Sequence, residues 1–139
     1  MTKTELYDFL ATQSLGVVSY SAPTFAPQSA LVAVAASSEL ELVFDTVKSS
    51  RKYANLVARP ACCFVIGWQG ETTVQYEGLA QELSGSDLAT YKQIYFAKFA
   101  DAPLRESWPG IVYFVVRPTW IRFCDYDKRP PRVEEMRFP

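Results

Sequence analysis

The sequence contains no histidine in its 139 residues. It therefore lacks the commonest general base of enzymes and the commonest protein ligand of metal ions and haem. A Ser-His-Asp hydrolase within this chain is excluded. Because there is no Cys-x-x-Cys pair either, a zinc site is not expected. We predict no metal centre, and no residue stands out as a required catalytic acid or base.

The three cysteines lack the even number and regular spacing of a disulfide framework. Cys62 and Cys63 are adjacent, so on a strand they point to opposite faces and are not expected to bond to each other. Cys124 stands alone in the sequence. Reduced packing cysteines of this kind fit a cytoplasmic location.

Long apolar runs and an excess of one charge are also missing. No apolar run reaches the roughly 18 residues of a membrane span, and the opening "MTKTELYDFL" resembles an amphipathic helix rather than a signal peptide. The formal net charge is −1. We therefore expect a cytoplasmic protein with neither a membrane nor a nucleic acid as partner, so that any anion site must be local.

Apolar and aromatic residues are plentiful, at 49% and 14% of the chain, which favours one folded domain over residues 1–139. The periodicity predicts a mostly β fold with flanking helices, in which six or so largely antiparallel strands close into a barrel. Gly78 is expected to mark a bulge or a close backbone approach. The predicted strands are 16–21, 29–36, 38–46, 61–68, 72–83 and 110–126 (two segments bent at Pro118), the predicted helices are 3–12, 49–58 and 86–99, and residues 128–139 form a tail.

The stretch "FDTVKSSRKYANL" (44–56) places cations at the start of a predicted helix. This is the end at which the helix dipole favours acidic side chains. With Ser49 or Ser50 as cap, the free amides of the first turn and the charges of Arg51 and Lys52 would make a socket for a phosphate monoester. In the alternative interpretation, Arg51 and Lys52 are solvated and pair with nearby acids such as Asp45.

Two further patterns have a functional and a structural interpretation. Thr73, Gln75 and Glu77 share one strand face and could meet the edge of a heteroaromatic ring, or could form an ordinary solvated face. Aromatic residues are dense near the C-terminus, where a core or a subunit interface is more usual than a ring-stacking site. They are Trp108, Tyr113, Phe114, Trp120, Phe123 and Tyr126.

Three segments together resemble the pyridoxamine 5′-phosphate oxidase-like family of FMN-binding split barrels. They are "LVFDTVKSSRKYANLVARPACCFVIGW" (42–68), "TVQYEGLAQEL" (73–83) and "WPGIVYFVVRPTWIRF" (108–123). Ser50-Arg51-Lys52 in its context is the sharpest motif among them. The resemblance implies a split β-barrel that forms a homodimer, with FMN in a groove between the subunits.

The resemblance also assigns site residues. It puts Arg51 and Lys52 on the FMN phosphate with Ser50 and Thr46 beside it, and Phe44 and Asp45 along the flavin. Thr73 and Val74 fall where a family strand meets the flavin ring, and the polar strand face adds Gln75. The predicted FMN-binding residues are therefore Phe44, Asp45, Thr46, Ser50, Arg51, Lys52, Thr73, Val74 and Gln75.

Departures from the family pattern bear on the activity. The strand "ALVAVA" (30–35) lacks the arginine and lysine of the family's oxidases, and Phe99 falls where they carry an arginine for substrate phosphate. We therefore expect an FMN-dependent oxidoreductase acting on an unidentified small molecule, rather than a true pyridoxamine phosphate oxidase. A non-catalytic flavin carrier or sensor, a barrel that has lost its cofactor, and a deazaflavin in place of FMN remain open at this point.

Overall fold

The computed structural model describes all 139 residues, which form eight strands, three α-helices and one 3₁₀ turn. The capping box of Thr2 and Glu5 begins the first helix. In chain order the elements are α1 (Lys3–Ala11), β1 (Leu15–Ser21), β2 (Pro27–Ala33), β3 (Ala35–Ala36), β4 (Leu42–Val47), α2 (Arg51–Ala58), β5 (Ala61–Ile66), β6 (Thr72–Glu82), α3 (Gly85–Lys98), the 3₁₀ turn (Ala102–Arg105), β7 (Ile111–Asp125) and β8 (Arg132–Arg137).

All strand pairs are antiparallel, and the sheet runs in the order β2-β1-β5-β6-β7-β4-β3. The 15-residue strand β7 organises the sheet, because it pairs with β6 along its length, with β4 at its first half and with β8 at its second half. The sheet curls into a half-barrel, and the mostly β fold with flanking helices is confirmed.

Two groups of buried side chains hold the elements together. The larger group fills the inside of the curled sheet, where the rings of Phe44 and Phe114 stack with centroids 5.5 Å apart. The smaller group lies between the outer side of β4 and β7 and helix α3, and centres on the fully buried Tyr95. Strand β4 contributes to both groups because its successive side chains point to opposite faces.

Gly78 lies at a bulge, as the sequence predicts. The register between β6 and β7 shifts between Glu77 and Gly78, opposite Pro118. A Cβ atom at Gly78 would lie 2.5 Å from the carbonyl oxygen of Arg117, so the close approach requires glycine. Because the bulge absorbs the missing amide of Pro118, β7 continues through it as one strand, where the sequence predicts two segments.

Three other boundaries differ from the prediction. Residues 132–137 form the edge strand β8 on β7, not an irregular tail. The predicted buried strand 29–36 is interrupted at Val34, and Leu31 on its outer face is 59% exposed. The predicted strand from residue 38 begins only at Leu42, because Leu40 takes a positive φ of 66° in a turn.

Candidate functional site

A cleft of about 490 Å³ opens where β4 ends and α2 begins. Its walls come from β1, β2, β4, the first turn of α2, helix α3 and the segment that follows α3. Four of the predicted site residues line it, namely Asp45, Thr46, Ser50 and Lys52. The sequence stretch that suggested an anion socket therefore lies at the largest cleft of the chain.

The helix start keeps unused hydrogen-bond donors. Ser50 is the N-cap residue by backbone conformation, but its hydroxyl accepts no first-turn amide and instead shares a 2.9 Å hydrogen bond with the hydroxyl of Thr46. No acceptor in the chain lies against the amides of Arg51 and Lys52. Both amides, and the one hydroxyl of the pair that does not donate to the other, are therefore available to an acceptor from outside the chain.

The cations at this helix start have no acidic partner within the chain. No ion pair of the chain involves Lys48, Arg51 or Lys52. Arg51 is exposed and Lys52 is half-buried in the cleft. Burial lowers the pKa of Lys52, and the nearby charge of Asp45 opposes that shift. The alternative in which Asp45 neutralises these cations fails, because Asp45 is paired elsewhere.

Asp45 belongs to a network with Arg105 and Tyr95. Arg105 Nε donates to Asp45 Oδ2 at 2.9 Å, and its Nη1 donates to Asp101 Oδ2 at 3.1 Å. The Tyr95 hydroxyl donates to Asp45 Oδ1 at 3.2 Å and accepts from Arg105 Nη2 at 3.4 Å. Burial is the main cause of the raised Tyr95 pKa, and the hydrogen bond to Asp45 raises the pKa of Arg105 further above its ordinary range.

Sequence reasoning missed Arg105 and Asp101. Both residues come from the segment around the 3₁₀ turn (Ala102–Arg105) after α3, for which the sequence predicts no regular element. Their spacing of four residues is the local signal that could have linked them to each other. Nothing local links Arg105 to Asp45, which is 60 residues away in the chain.

Phe44 does not line the cleft. Its side chain is fully buried inside the half-barrel, on the face of β4 opposite Asp45. The side chain has a packing role, as its stacking on Phe114 indicates.

Thr73, Val74 and Gln75 lie apart from the cleft within one chain. They belong to β6, beside β5 and the second half of β7. Val74 is fully buried, the Thr73 hydroxyl donates to the Ile66 carbonyl at 3.3 Å, and Gln75 is exposed without a hydrogen-bond partner. One chain therefore brings together the helix-start residues but not these three.

Apolar side chains make up much of the remaining cleft wall. They include Leu31, Phe99, Trp108 and Ile111. Leu31 and Trp108 are 59% and 53% exposed, so nothing in the chain covers them. Of the C-terminal aromatic cluster, Tyr113, Phe114 and Phe123 are buried, and Trp108 is the member that reaches the cleft.

No three side chains of the His, Cys, Asp and Glu types lie close enough together to bind a metal ion. None of the helices has the length and apolar character needed to cross a membrane.

Solved structures with the same fold are numerous. The heme binding protein from Mycobacterium smegmatis superposes with a TM-score of 0.82 at 16% identity over 99% of this chain, which spans only 58% of that protein's chain. General Stress Protein 26 from Bacillus anthracis gives a TM-score of 0.77 at 21% identity, with 98% of each chain covered. A pyridoxamine 5′-phosphate oxidase-related, FMN binding protein from Nostoc punctiforme gives 0.70 at 11% identity, covering 99% of this chain and 93% of that one. These similarities confirm the split β-barrel.

Sequence comparison gives the family. No curated protein matches the chain. The family model described as pyridoxamine 5′-phosphate oxidase matches residues 2–125, a span that contains β1 to β7, the start of α2 and the whole cleft. The chain therefore belongs to the pyridoxamine 5′-phosphate oxidase family.

Proposed function

We propose that this protein binds FMN and acts as an oxidoreductase on a small molecule. The observation that carries the proposal is the first turn of α2. Two amides without acceptors, the Thr46 and Ser50 hydroxyls and the unpaired cations of Arg51 and Lys52 lie together there. This donor set fits a phosphate monoester in both charge and hydrogen-bonding capacity.

A phosphate also explains why the helix start tolerates its cations. A cation at a helix N-terminus costs about 0.3–1 kcal/mol, and a bound dianion reverses that sign. Strand β2 offers no further cation, because Ala30 is where the family's oxidases have an arginine. Arg51 and Lys52 would therefore be nearly the only cations that anchor the phosphate. Lys48 is exposed to solvent and would not contact it.

The flavin ring would run along the end of β4, past the Asp45 carboxylate and the backbone of Phe44. We infer that Thr73, Val74 and Gln75 act on the same flavin from a second subunit, since their own chain holds them apart from the cleft. The proposed assembly is a homodimer with the cofactor between its subunits.

An apolar row on the outer face of the sheet supports this dimer. Val17 pairs with Leu31 on one side and with Val65 on the other, and Val65 pairs with Gln75. Leu31 and Val65 are 59% and 45% exposed. Since Leu31 also lines the cleft, a second copy that covered this row would meet both the cleft and Gln75.

When bound, FMN supplies hydride transfer, and the protein supplies binding and orientation. The residues of this chain would anchor the phosphate, fix Asp45 through Arg105, and leave the apolar wall for a second molecule. Phe99 lines the cleft at the position where the family's oxidases hold substrate phosphate. For this reason we do not propose a pyridoxamine phosphate oxidase.

A flavin carrier or sensor is the second candidate. It is favoured by the engagement of the Tyr95 phenol with both Asp45 and Arg105, which leaves the cleft without a free acid of that type. Anaerobic mixing of the FMN-loaded protein with NADH or NADPH separates the two functions. Bleaching of the flavin absorbance supports the oxidoreductase, whereas a flavin that neither nicotinamide nor other reductants can reduce supports the carrier.

Cofactor titration of the purified protein tests the core of the proposal. The yellow absorbance of oxidised flavin, size-exclusion chromatography with light scattering, and titration with FMN and with haemin are measured on one preparation. We expect a dimer that binds FMN with a dissociation constant in the micromolar range or below. The haemin titration should show no saturable binding, since the chain has no histidine to ligate the iron. A dimer that does not bind micromolar FMN would mean a barrel without its cofactor.

A further inference from the structure

Most of the charged side chains that line the cleft are paired with each other. Four charged side chains line it: Asp45, Lys52, Asp101 and Arg105. The guanidinium of Arg105 contacts both carboxylates, at 2.9 Å and 3.1 Å. Lys52 is the only one of the four without an ion-pair partner. Its ammonium is therefore the only charge in the lining that is free to meet a ligand.

An FMN phosphate would use that one free charge. The remaining lining would then carry two carboxylates against one guanidinium, a net charge of −1. An additional anion in the cleft would approach Arg105 against the repulsion of the Asp45 and Asp101 carboxylates, or would displace one of them from it. Because the Asp45 and Arg105 side chains are only 13% and 18% exposed, breaking their contact would leave a poorly solvated carboxylate with only the Tyr95 hydroxyl as partner.

Tyr95 offers an anion no alternative donor. Its hydroxyl donates a hydrogen bond to Asp45 and accepts one from Arg105 Nη2. One turn further along α3, Phe99 presents an apolar ring, with centroids 5.1 Å from Tyr95. Phe99 and Trp108 give the cleft aromatic faces, and Leu31 adds aliphatic surface. These surfaces favour an apolar ligand with an aromatic ring.

We propose that the cleft takes an uncharged apolar molecule beside the flavin and discriminates against carboxylates and phosphates. The proposal rests on the proposed function, because the FMN phosphate is what occupies Lys52. It names a substrate class for the site: neutral compounds with an aromatic or similarly flat apolar part, held against Phe99, Trp108 and Leu31. The Asp45–Arg105–Asp101 network is the specificity element that rejects anions.

Two probes that share one ring system test this discrimination. Isothermal titration of the FMN-loaded dimer with 2-naphthol and with 2-naphthoate compares a neutral and an anionic ligand of the same shape at neutral pH. We expect 2-naphthol to bind at least tenfold more tightly. Equal binding, or tighter binding of 2-naphthoate, overturns the proposal. If FMN itself does not bind, both the proposed function and this substrate class are wrong. If FMN binds but the two probes bind equally, only the substrate class is wrong, so the two failures are distinguishable.

Two variants assign the effect to the named residues. Phe99→Arg places an uncommitted cation on the apolar wall and is expected to improve 2-naphthoate binding at least tenfold relative to 2-naphthol. Trp108→Ala is expected to weaken both probes by a similar factor while leaving FMN affinity within twofold. Trp108 is 53% exposed, so its removal should not impair folding, which circular dichroism checks. Unchanged probe binding in Trp108→Ala overturns the proposed position.

Discussion

Arg105 donates from Nε to Asp45 Oδ2 at 2.9 Å and thereby joins the segment after α3 to the middle of β4. Both side chains are largely shielded from water, at 18% and 13% exposure. The pair fixes the carboxylate that faces the cleft, and Asp45 forms no ion pair with the cations on α2. The anion socket at the helix start and the Asp45–Arg105–Asp101 network beside it are therefore separate features of one cleft.

Removal of Arg105 should destabilise the fold, because it leaves a shielded carboxylate with only Tyr95 as partner. We expect Arg105→Ala to lower the free energy of unfolding by about 1–3 kcal/mol, measured by urea denaturation. Asp101→Ala is the matched control. That carboxylate is 72% exposed, so its loss should cost about 1 kcal/mol or less. Combining Asp45→Asn with Arg105→Ala should recover part of the loss, and no recovery would contradict the unpaired-charge explanation.

Arg51→Ala should weaken FMN binding by about 1.5–3 kcal/mol, the scale of a hydrogen bond to a charged group. Lys48→Ala removes a cation of the same stretch that lies before the helix, and it should change the affinity by about 0.5 kcal/mol or less. Both affinities come from flavin fluorescence titrations. Equal effects of the two substitutions would mean that general electrostatic attraction, rather than the helix-start socket, binds the phosphate.

The parts of this site that the sequence predicted are those set by local pattern. Serine, arginine and lysine at a helix start lie within one turn, so their placement follows from the helix alone. The alternation of β6 correctly puts Val74 and Tyr76 inside and Gln75 outside. The same alternation in β4 implies that Phe44 and Asp45 point to opposite faces, so only one of the two side chains can face the cleft.

The parts that could not be predicted depend on contacts between distant segments. Arg105 meets Asp45 only because the 3₁₀ turn returns to β4 after α3. Strand β8 has a charged, proline-flanked sequence, and its regularity comes from pairing with the second half of β7. The separation of Thr73 from Lys52 follows from sheet order, which no local signal specifies.

The FMN affinity should depend on pH because the Lys52 ammonium contributes to phosphate binding. Burial lowers its pKa below the ordinary 10.5, and only the ammonium form attracts phosphate. Affinity should therefore be full below the lowered pKa and fall as the pH rises through it. The stability of the free protein should change with pH in the opposite direction. Burying the Lys52 charge lowers the free energy of unfolding at pH values below the lowered pKa, and this cost disappears as the pH rises to 10.5.

Titrations of FMN and riboflavin at increasing alkaline pH measure this effect. Riboflavin has no phosphate and should not show the decline that is due to Lys52. Lys52→Arg keeps its charge throughout the range, so the decline for FMN should disappear in that variant. An alkaline decline that persists in Lys52→Arg would assign it to another group.

Gly78→Ala should disrupt the bulge between β6 and β7. The added Cβ would lie 2.5 Å from the Arg117 carbonyl oxygen and 2.8 Å from Val116 Cγ1. Since the first of these atoms is backbone, it cannot move aside cheaply, and we expect a loss of about 1–3 kcal/mol in unfolding free energy. Glu77→Ala, on the exposed face of the same bulge, should stay within about 0.5 kcal/mol of the parent protein. Similar effects of both substitutions would contradict the steric explanation.

Mixing two defective variants tests whether the site is shared between subunits. Arg51→Ala removes a phosphate ligand, and Gln75→Ala removes a side chain that the proposed dimer places on the flavin from the other subunit. Each homodimer should bind FMN more weakly than the parent at both of its sites. In a two-fold symmetric heterodimer, one site would then carry both defects and the other neither.

We therefore expect heterodimers of Arg51→Ala and Gln75→Ala, purified with two different affinity tags, to bind one FMN per dimer with parental affinity. The measurement is a fluorescence titration that resolves the tight site from the weak one. Thr119→Ala replaces Gln75→Ala in the control heterodimer. Thr119 is exposed on β7 and donates to the Glu77 carbonyl, and its loss should leave the FMN affinity of its own homodimer unchanged. If the Arg51→Ala and Gln75→Ala heterodimer has no parental site, both residues act within one subunit and the proposed arrangement of the dimer is wrong.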